Sequence, residues 1–577
     1  MSWFFAFSRQ HSNLGFPEVP YETKPLLTLS FPSLDLALGG VKETCLYEHN
    51  EVNGRGWGMV GVGVQHDEGI TRIMTLKDWR LALEDPKFNP TSLDGHFIAL
   101  RWNRDQIEFF NDQIGMRTLY YGSTDTGLCI STRLDWVTTF SNTTEINVSC
   151  LGSRWLMLNQ LSFDSCINGV ERLGSNGYLN VSRGRIEALH SEPWLPKFQE
   201  YNASDAVRSL ETLIEALVQY PMKLALGLSG GFDSRFLLAL LLDAGRDLFG
   251  VYTVGEPGHP DVQIATKIAG RLGLQHQHIH EPLPDPDNCM AMMSSYAVRT
   301  HLIEAVSTVS KLRYSSKLRT SGCFAIDGGF GEIGRRGLFK RLERFGKKGI
   351  YEKDASQLAD ILWLNRAPIF APDVQKTMRA GAVEELQGVL DKMPSAKEIG
   401  LANFVDLLSM RTRVPNYGGP EQSRLDAEVL IITPFIQPSY VQTVINVSAS
   451  ERVNGRFYNR VIRERAPQLT RFSLVKGSIT YPYSLALAGN VAWLIAAIKK
   501  RVGAVWSDPI PDRLLLRVKE PVLDLLHSSE IMTSPLYDVK RVVSSVKAYY
   551  NGEKRLRGFV DWWLTFELWR KSMVGNS

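Results

Sequence analysis

Up to Leu195, short apolar runs alternate with turn-forming residues. Gly58 to Val64, His96 to Trp102 and Ile107 to Phe110 read as strands. Leu93-Asp94-Gly95, Gly122-Ser123, Ser175-Asn176-Gly177 and Arg183-Gly184 read as the turns between them. This half is predicted to be β-rich, and it ends at the break Pro193-Trp194-Leu195-Pro196. The period then changes. Ala206 to Gln219 reads as an amphipathic helix and Lys223 to Leu228 as a short strand. Phe236 to Leu242 is nearly all apolar and should end at Asp243-Ala244-Gly245. Leu248 to Val254 reads as a second strand, Asp261 to Arg271 as a helix stopped by Gly273, and Gln275 to His280 as a third strand. Such a β-α-β-α-β order predicts a parallel sheet covered by helices. From Asp406 onward the pattern is mostly helical.

The longest apolar stretch, Leu485 to Ile498, is followed by Lys499-Lys500-Arg501. It is shorter than the roughly 17–25 residues a membrane span needs. A buried helix with a solvated end is the expectation, ahead of a helix lying on an anionic membrane surface. With 577 residues, two or more domains are expected. A 44% hydrophobic and 22% charged composition fits an ordinary globular protein, and a net charge of +4 is too mild to imply a nucleic-acid partner. None of the six cysteines (Cys45, Cys129, Cys150, Cys166, Cys289, Cys323) falls in a C-x-x-C pair, so neither a zinc site nor a disulfide framework is suggested. The apolar start, Met-Ser-Trp-Phe-Phe-Ala-Phe, lacks the basic flank of a signal peptide. A reducing, cytoplasmic location is therefore expected.

The turn after the first parallel strand is Ser229-Gly230-Gly231-Phe232-Asp233-Ser234-Arg235. Its glycines let the backbone approach a ligand, and the helix behind it offers free N–H groups and a positive dipole end. Two serine hydroxyls add donors for phosphate oxygens. Asp233 would be out of place beside phosphates unless it holds a cation, for which Mg²⁺ is the natural candidate. No Gly-Lys-Ser/Thr follows, so this is not a Walker A loop.

The S-G-G-x-D-S string resembles the pyrophosphate loop of N-type ATP-pyrophosphatases. That resemblance implies cleavage of ATP between its α- and β-phosphates and adenylation of a substrate. Val251 to Gly255 resembles the adenine-contacting strand of those enzymes. The resemblance assigns ATP to Leu228, Ser229, Gly230, Gly231, Asp233, Ser234, Val254 and Gly328. Leu93 to Leu100 resembles the asparagine synthetase string L-D-G-x-F-A-F-A, and Asp112 to Tyr121 resembles D-R-x-G-x-K-P-L-Y-Y. Ser131-Thr132-Arg133-Leu134 stands where that family has S-E-x-K, Gly174 to Leu179 resembles P-G-H-Y-L, and Thr433 to Gln437 resembles Y-P-F-L-D. The implied fold class is α/β plus α+β. An Ntn-type, β-sandwich-like glutaminase domain would span 1–197. A parallel-sheet ATP-pyrophosphatase domain with a helical C-terminal part would span 198–577.

The departures narrow the chemistry. The family's glutaminase nucleophile is a cysteine after the initiator Met, and here that position is Ser2. Serine can serve as an N-terminal nucleophile but has no accessible anion near neutral pH. No counterpart of the glutamine-pocket string N-G-E-I-Y-N is found either. The N-terminal half is therefore expected to be a scaffold without hydrolysis. The expected reaction is that of the asparagine synthetase/β-lactam synthetase-like group and of lasso-peptide cyclases, in which an adenylated carboxylate is joined to an amine. The expected partner is a small molecule or peptide carrying both groups, with homodimerisation left open. An ammonia-dependent asparagine synthetase and a non-catalytic ATP-binding scaffold are the alternatives. A tRNA-modifying pyrophosphatase fits poorly, since there is neither a basic appendage nor a catalytic cysteine pair.

Ile326-Asp327-Gly328-Gly329-Phe330-Gly331-Glu332 resembles the family's G-E-G-x-D-E segment. Aligned on Glu332, Gly331 falls at the magnesium-binding Asp. A shift brings Asp327 to an acidic position. Asp327 is the expected partner of Asp233 on Mg²⁺, with Glu332 the alternative, because a pyrophosphate leaving group needs charge compensation. Lys476 stands where these synthetases place a lysine against the α-phosphate. Arg235 is read as a surface residue ahead of a phosphate contact. His276, His278 and His280 share a strand face but are read as structural rather than as metal ligands.

Overall fold

The computed structural model describes every residue except 1, 11–18, 20–23, 68, 142–144, 158, 365, 427, 502–504 and 575–577. Two antiparallel sheets occupy residues 3–190. One runs in the order Val170–Arg172, Tyr120–Thr124, Gly127–Ser131, Trp3–Arg9, Leu34–Gly39, Leu27–Ser30. The other runs Arg185–His190, Tyr178–Ser182, Gln106–Asn111, Leu93–Trp102, Arg55–Asp67, Cys45–Asn50, with Ile70–Ile73 added beside Arg55–Asp67. Their facing sides close a common core: Phe4, Leu36 and Leu38 pack with Ile98, Leu100 and Phe109. The opposite face of the first sheet is also covered. Trp3 and Phe5 point into helices that include the C-terminal Arg557–Val574. That double burial explains why 3–7 reads as unbroken apolar sequence.

Two expected turns are strand instead. Leu93-Asp94-Gly95 begins the strand Leu93–Trp102, and Gly95 pairs with Gly63 at φ +117°. A Cβ there would stand 2.1 Å from the Val62 carbonyl, so the glycine serves close strand approach rather than chain reversal. Gly122-Ser123 lies inside Tyr120–Thr124, and the reversal follows it. The turns at Asn176 and at Arg183-Gly184 stand where expected, each with positive φ.

The second half carries a five-stranded sheet in the order His276–Ile279, Phe249–Val254, Lys223–Gly227, Cys323–Ile326, Ile431–Ile432, with every pair parallel. Its first helix, Ala203–Gln219, starts with a capping box between Asn202 and Asp205. The helix Phe232–Ala244 ends at Gly245, and Pro260–Leu272 ends at Gly273 in the left-handed region.

Buried polar contacts tie the halves together. Arg117 donates to the carbonyls of Ser2 (2.8 Å) and Ser423 (3.3 Å), and Arg154 to that of Asn416 (2.7 Å). Asp94 accepts the Ser439 N–H at 3.1 Å. The apolar 485–498 stretch departs from expectation. Its helix begins at Gly489, and Leu494 and Ile498 are 52% and 54% exposed, so these side chains are not buried. No described helix is long and apolar enough to cross a membrane.

Candidate nucleotide site

The parallel sheet is wound in two directions from Lys223–Gly227. The chain moves to one side for Phe249–Val254 and His276–Ile279, then crosses to the other for Cys323–Ile326. At such a switch point the loops after the two central strands part, leaving a crevice at the C-terminal edge. Residues 228–231 and 327–331 are those loops.

The first loop is braced by its own serines. Ser229 Oγ accepts the Gly231 N–H at 3.0 Å and lies 3.1 Å from Ser234 Oγ, which accepts the Ser229 N–H at 3.2 Å. No side chain caps the helix that follows, so its first N–H groups and its dipole face the crevice. Gly230 donates its N–H to Asp261 Oδ1 at 2.7 Å and accepts Val475 N–H at 2.8 Å. A Cβ at Gly230 would meet Val475 at 2.2 Å, so only glycine fits under the hairpin of Leu474–Lys476 and Ile479–Tyr481. Burial raises the Asp261 carboxyl above its ordinary range, and the Gly230 N–H partly offsets this.

A cavity of about 590 Å³ opens on this loop. Leu228, Ser229, Gly231, Asp233, Ser234, Val254, Asp327 and Gly328 line it, while Gly230 sits behind the loop. Leu228 donates its N–H to the Tyr252 carbonyl and accepts from Thr253 Oγ1, both at 2.8 Å, so the two strand ends are locked together. The far wall is charged. Lys311, Glu421 and Arg424 line it, and Arg424 grips Glu421 at 2.6 and 3.1 Å. Although burial opposes it, Arg424 and Lys311 hold the Glu421 carboxyl well below its usual range. Two larger cavities, of about 780 and 870 Å³, lie elsewhere, and neither touches the C-terminal edge of the parallel sheet.

Asp233 and Asp327 have different partners, while Asp233 and Glu332 share one. Arg335 Nε and Nη2 hold both oxygens of Asp233, at 2.6 and 2.7 Å, and Glu332 lies 3.5 Å from the same guanidinium. Burial pushes the Asp233 carboxyl up, with Arg335 opposing. Asp327 accepts the Gly329 N–H at 3.1 Å, and the charges that reach it are those of Glu421, Lys311 and Arg424. Gly331 packs on the Asp233 carboxylate so closely that a Cβ would be 2.3 Å from its carboxyl carbon. Among the described residues, no three His, Cys, Asp or Glu side chains are grouped as a metal would need. As placed, the Asp233 carboxylate is taken up by Arg335 and that of Asp327 by the Gly329 N–H.

Lys476 is exposed on the hairpin and does not line the cavity. Arg235 is neither a surface residue nor a phosphate contact. It is fully buried and donates to the carbonyls of Gly230 (3.1 Å), Leu469 (3.2 Å), Phe472 (2.8 Å) and Ser473. His276, His278 and His280 bond Thr253 Oγ1, the Gly255 carbonyl and Glu256 along the neighbouring strand. Ser2 is 1% exposed. Its hydroxyl accepts the Val41 N–H at 3.2 Å and lies against Thr44 Oγ1. Asp261 and Arg335 were missed from the sequence. The helix start Gly258-His259-Pro260-Asp261 was a usable signal for the first; nothing in the local pattern singles out the second.

No family model matches the chain, and no curated protein matches it. Among solved structures it is similar to the NMN synthetase of Francisella tularensis, at 17% identity over 36% of this chain and 95% of that one, with a TM-score of 0.19. It is also similar to an allosteric regulatory enzyme of purine biosynthesis, at 9% identity over 39% of this chain and 54% of that one, with a TM-score of 0.18. Likeness at these scores carries no argument about function.

Proposed function

We propose that the chain is an ATP-pyrophosphatase of the N type, which binds ATP in the switch-point crevice. More specifically, we read it as an asparagine synthetase-like ligase that joins a carboxylate to an amine. The observation that carries this reading is the Ser229–Ser234 loop on an uncapped helix N-terminus, facing a cavity shared with the ends of two other strands. The loop N–H groups and the two hydroxyls take the phosphates, and Val254 with Leu228 faces the base. A substrate carboxylate oxygen attacks the α-phosphorus, the bond from that phosphorus to the bridging oxygen breaks, and pyrophosphate leaves. The amine nitrogen then attacks the acyl carbon, AMP leaves, and the amine gives up a proton. Lys476, on the hairpin that Val475 clamps to Gly230, is the cation we assign to the α-phosphate. Magnesium enters with ATP as its phosphate complex.

The buried Ser2 supports nitrogen from the substrate amine or ammonium rather than from glutamine. In this reading residues 1–197 are a scaffold of Ntn type, 198–577 the synthetase, and the reaction cytoplasmic. The test is product analysis of purified protein with Mg·ATP and panels of carboxylates paired with amines. AMP and pyrophosphate released in step with amide support the proposal, and ADP with phosphate overturns it. Aspartate with ammonium is the arm that decides between asparagine and another acceptor.

A further inference from the structure

Arg335 reaches this site through Asp233, which lines the cavity. Asp233 stands at the second position of the loop helix, where a carboxylate raises rather than lowers the cost of binding phosphate. Arg335 covers it with the Nε and Nη2 edge of the guanidinium, a planar fork matched to a carboxylate. Among the described residues Nη1 has no hydrogen-bond partner, which leaves that edge for a further anion. The arrangement is held from behind. Phe236 of the loop helix stacks on Tyr458 with 4.0 Å between ring centroids, and the Tyr458 hydroxyl donates to the Gly331 carbonyl at 3.3 Å.

Other cations gather here. Lys340 lies within electrostatic reach of Arg335, Lys476 and Arg336, and burial followed by their repulsion lowers its ammonium below the ordinary value. Arg336 is matched by Glu343 (3.0 Å) and Asp406 (3.3 Å). That leaves Arg335, Lys340 and Lys476 against Asp233 and Glu332. The balance is positive before any ligand arrives, and a polyphosphate would reverse it. A carboxylate at position 331 has no room beside Asp233, because Gly331 packs directly on it.

We infer that Arg335, seated on Asp233 and flanked by Lys340 and Lys476, is the resident cation for the pyrophosphate half of the nucleotide, in the place of a carboxylate-held metal ion. The inference rests on the ATP reading of the adjoining cavity. Asp233 acts as a positioning residue that orients the guanidinium, and Arg335 as a phosphate-binding residue.

The experiment is titration calorimetry on the full chain, with inorganic pyrophosphate and with AMP, each in EDTA and in Mg²⁺. The wild type should bind pyrophosphate in EDTA. Arg335→Met should weaken that binding at least thirtyfold, Arg335→Lys should restore part of it, and Asp233→Asn, which loosens the seat of the guanidinium, should weaken it less than Arg335→Met does. AMP affinity should stay the same in all four proteins, which also shows that each is folded. Pyrophosphate binding that appears only with Mg²⁺ and vanishes in Asp233→Asn overturns the inference, as does an Arg335→Met protein that binds like the wild type. Failure of the wild type to bind AMP sinks the nucleotide reading instead, and absence of both ligands sinks both.

Discussion

Arg235 sets the distance between the Ser229–Ser234 loop and the hairpin that carries Lys476, so Arg235→Met should loosen the site without changing a residue that lines the cavity. The side chain is fully buried and spans four carbonyls, one on the loop (Gly230) and three on the segment leading to the hairpin (Leu469, Phe472, Ser473). Two of the four carbonyls keep another donor, Gly230 from the Val475 N–H and Leu469 from the Phe472 N–H. Leaving a buried acceptor unpaired costs about 1–3 kcal/mol, so the other two cost roughly 4 kcal/mol at mid-range. Against this, burial lowers the Arg235 guanidinium from 12.5 to about 10. At about 1.4 kcal/mol per pH unit, removing the charge returns about 3 kcal/mol. The net loss is therefore about 1 kcal/mol. Urea unfolding measures it directly, and ATP titration on the folded fraction should show weaker binding than in the wild type. A variant within about 0.5 kcal/mol of wild type, the range of an ordinary surface substitution, with unchanged ATP affinity would refute the role given to this residue.

Further consequences follow from other buried groups. Burial pushes the Asp561 carboxyl up from 3.8 to about 6, against hydrogen bonds from the Ser307 hydroxyl and N–H. A raised carboxyl binds its proton more tightly folded than unfolded. Its charge therefore costs stability above pH 6, and the cost fades as pH falls through 6 and is gone below about 4. Two pH units make this about 3 kcal/mol, so Asp561→Asn should flatten the gain in Tm from pH 7.5 to pH 5. Parallel curves for the two proteins would exclude it. Ser2→Ala removes the buried hydroxyl that accepts the Val41 N–H and meets Thr44 Oγ1, and should cost about 1–2 kcal/mol while leaving amide formation from an amine unchanged. Glutamine consumption by the wild type that disappears in Ser2→Ala would contradict the scaffold reading. Gly331→Asp forces a side chain against the Asp233 carboxylate and should destabilise by about 2–3 kcal/mol rather than create a magnesium site, as Tm with and without Mg²⁺ would show.

The sequence was most legible where one local rule acted alone. Alternation, the Gly245 and Gly273 stops and the S-G-G-x-D-S string placed three parallel strands and the loop between them, because each depends on neighbours a few residues away. Cys323–Ile326 and Ile431–Ile432 were not singled out. They are four and two residues long, buried, and paired with strands about a hundred residues distant, so neither length nor alternation marks them. Leu93-Asp94-Gly95 was misread for a related reason: Gly95 answers to Gly63 across the sheet, not to a turn. In the site, the backbone-facing residues Leu228, Ser229 and Gly231 came from the motif. The charge partners Arg335 on Asp233 and Asp261 on Gly230 are set by packing between distant segments and leave no periodic trace.

The central claim is that the Ser229–Ser234 loop binds the phosphates of ATP, and calorimetric titration of ATP into the wild type and a Ser229→Ala/Ser234→Ala double variant tests it most directly. The account predicts one ATP per chain in the wild type and a loss of about 10- to 100-fold in the variant, from two hydrogen bonds to charged oxygens worth about 1.5–3 kcal/mol each and partly replaced by water. No ATP binding by the folded wild type, or equal affinity in the two proteins, would contradict it.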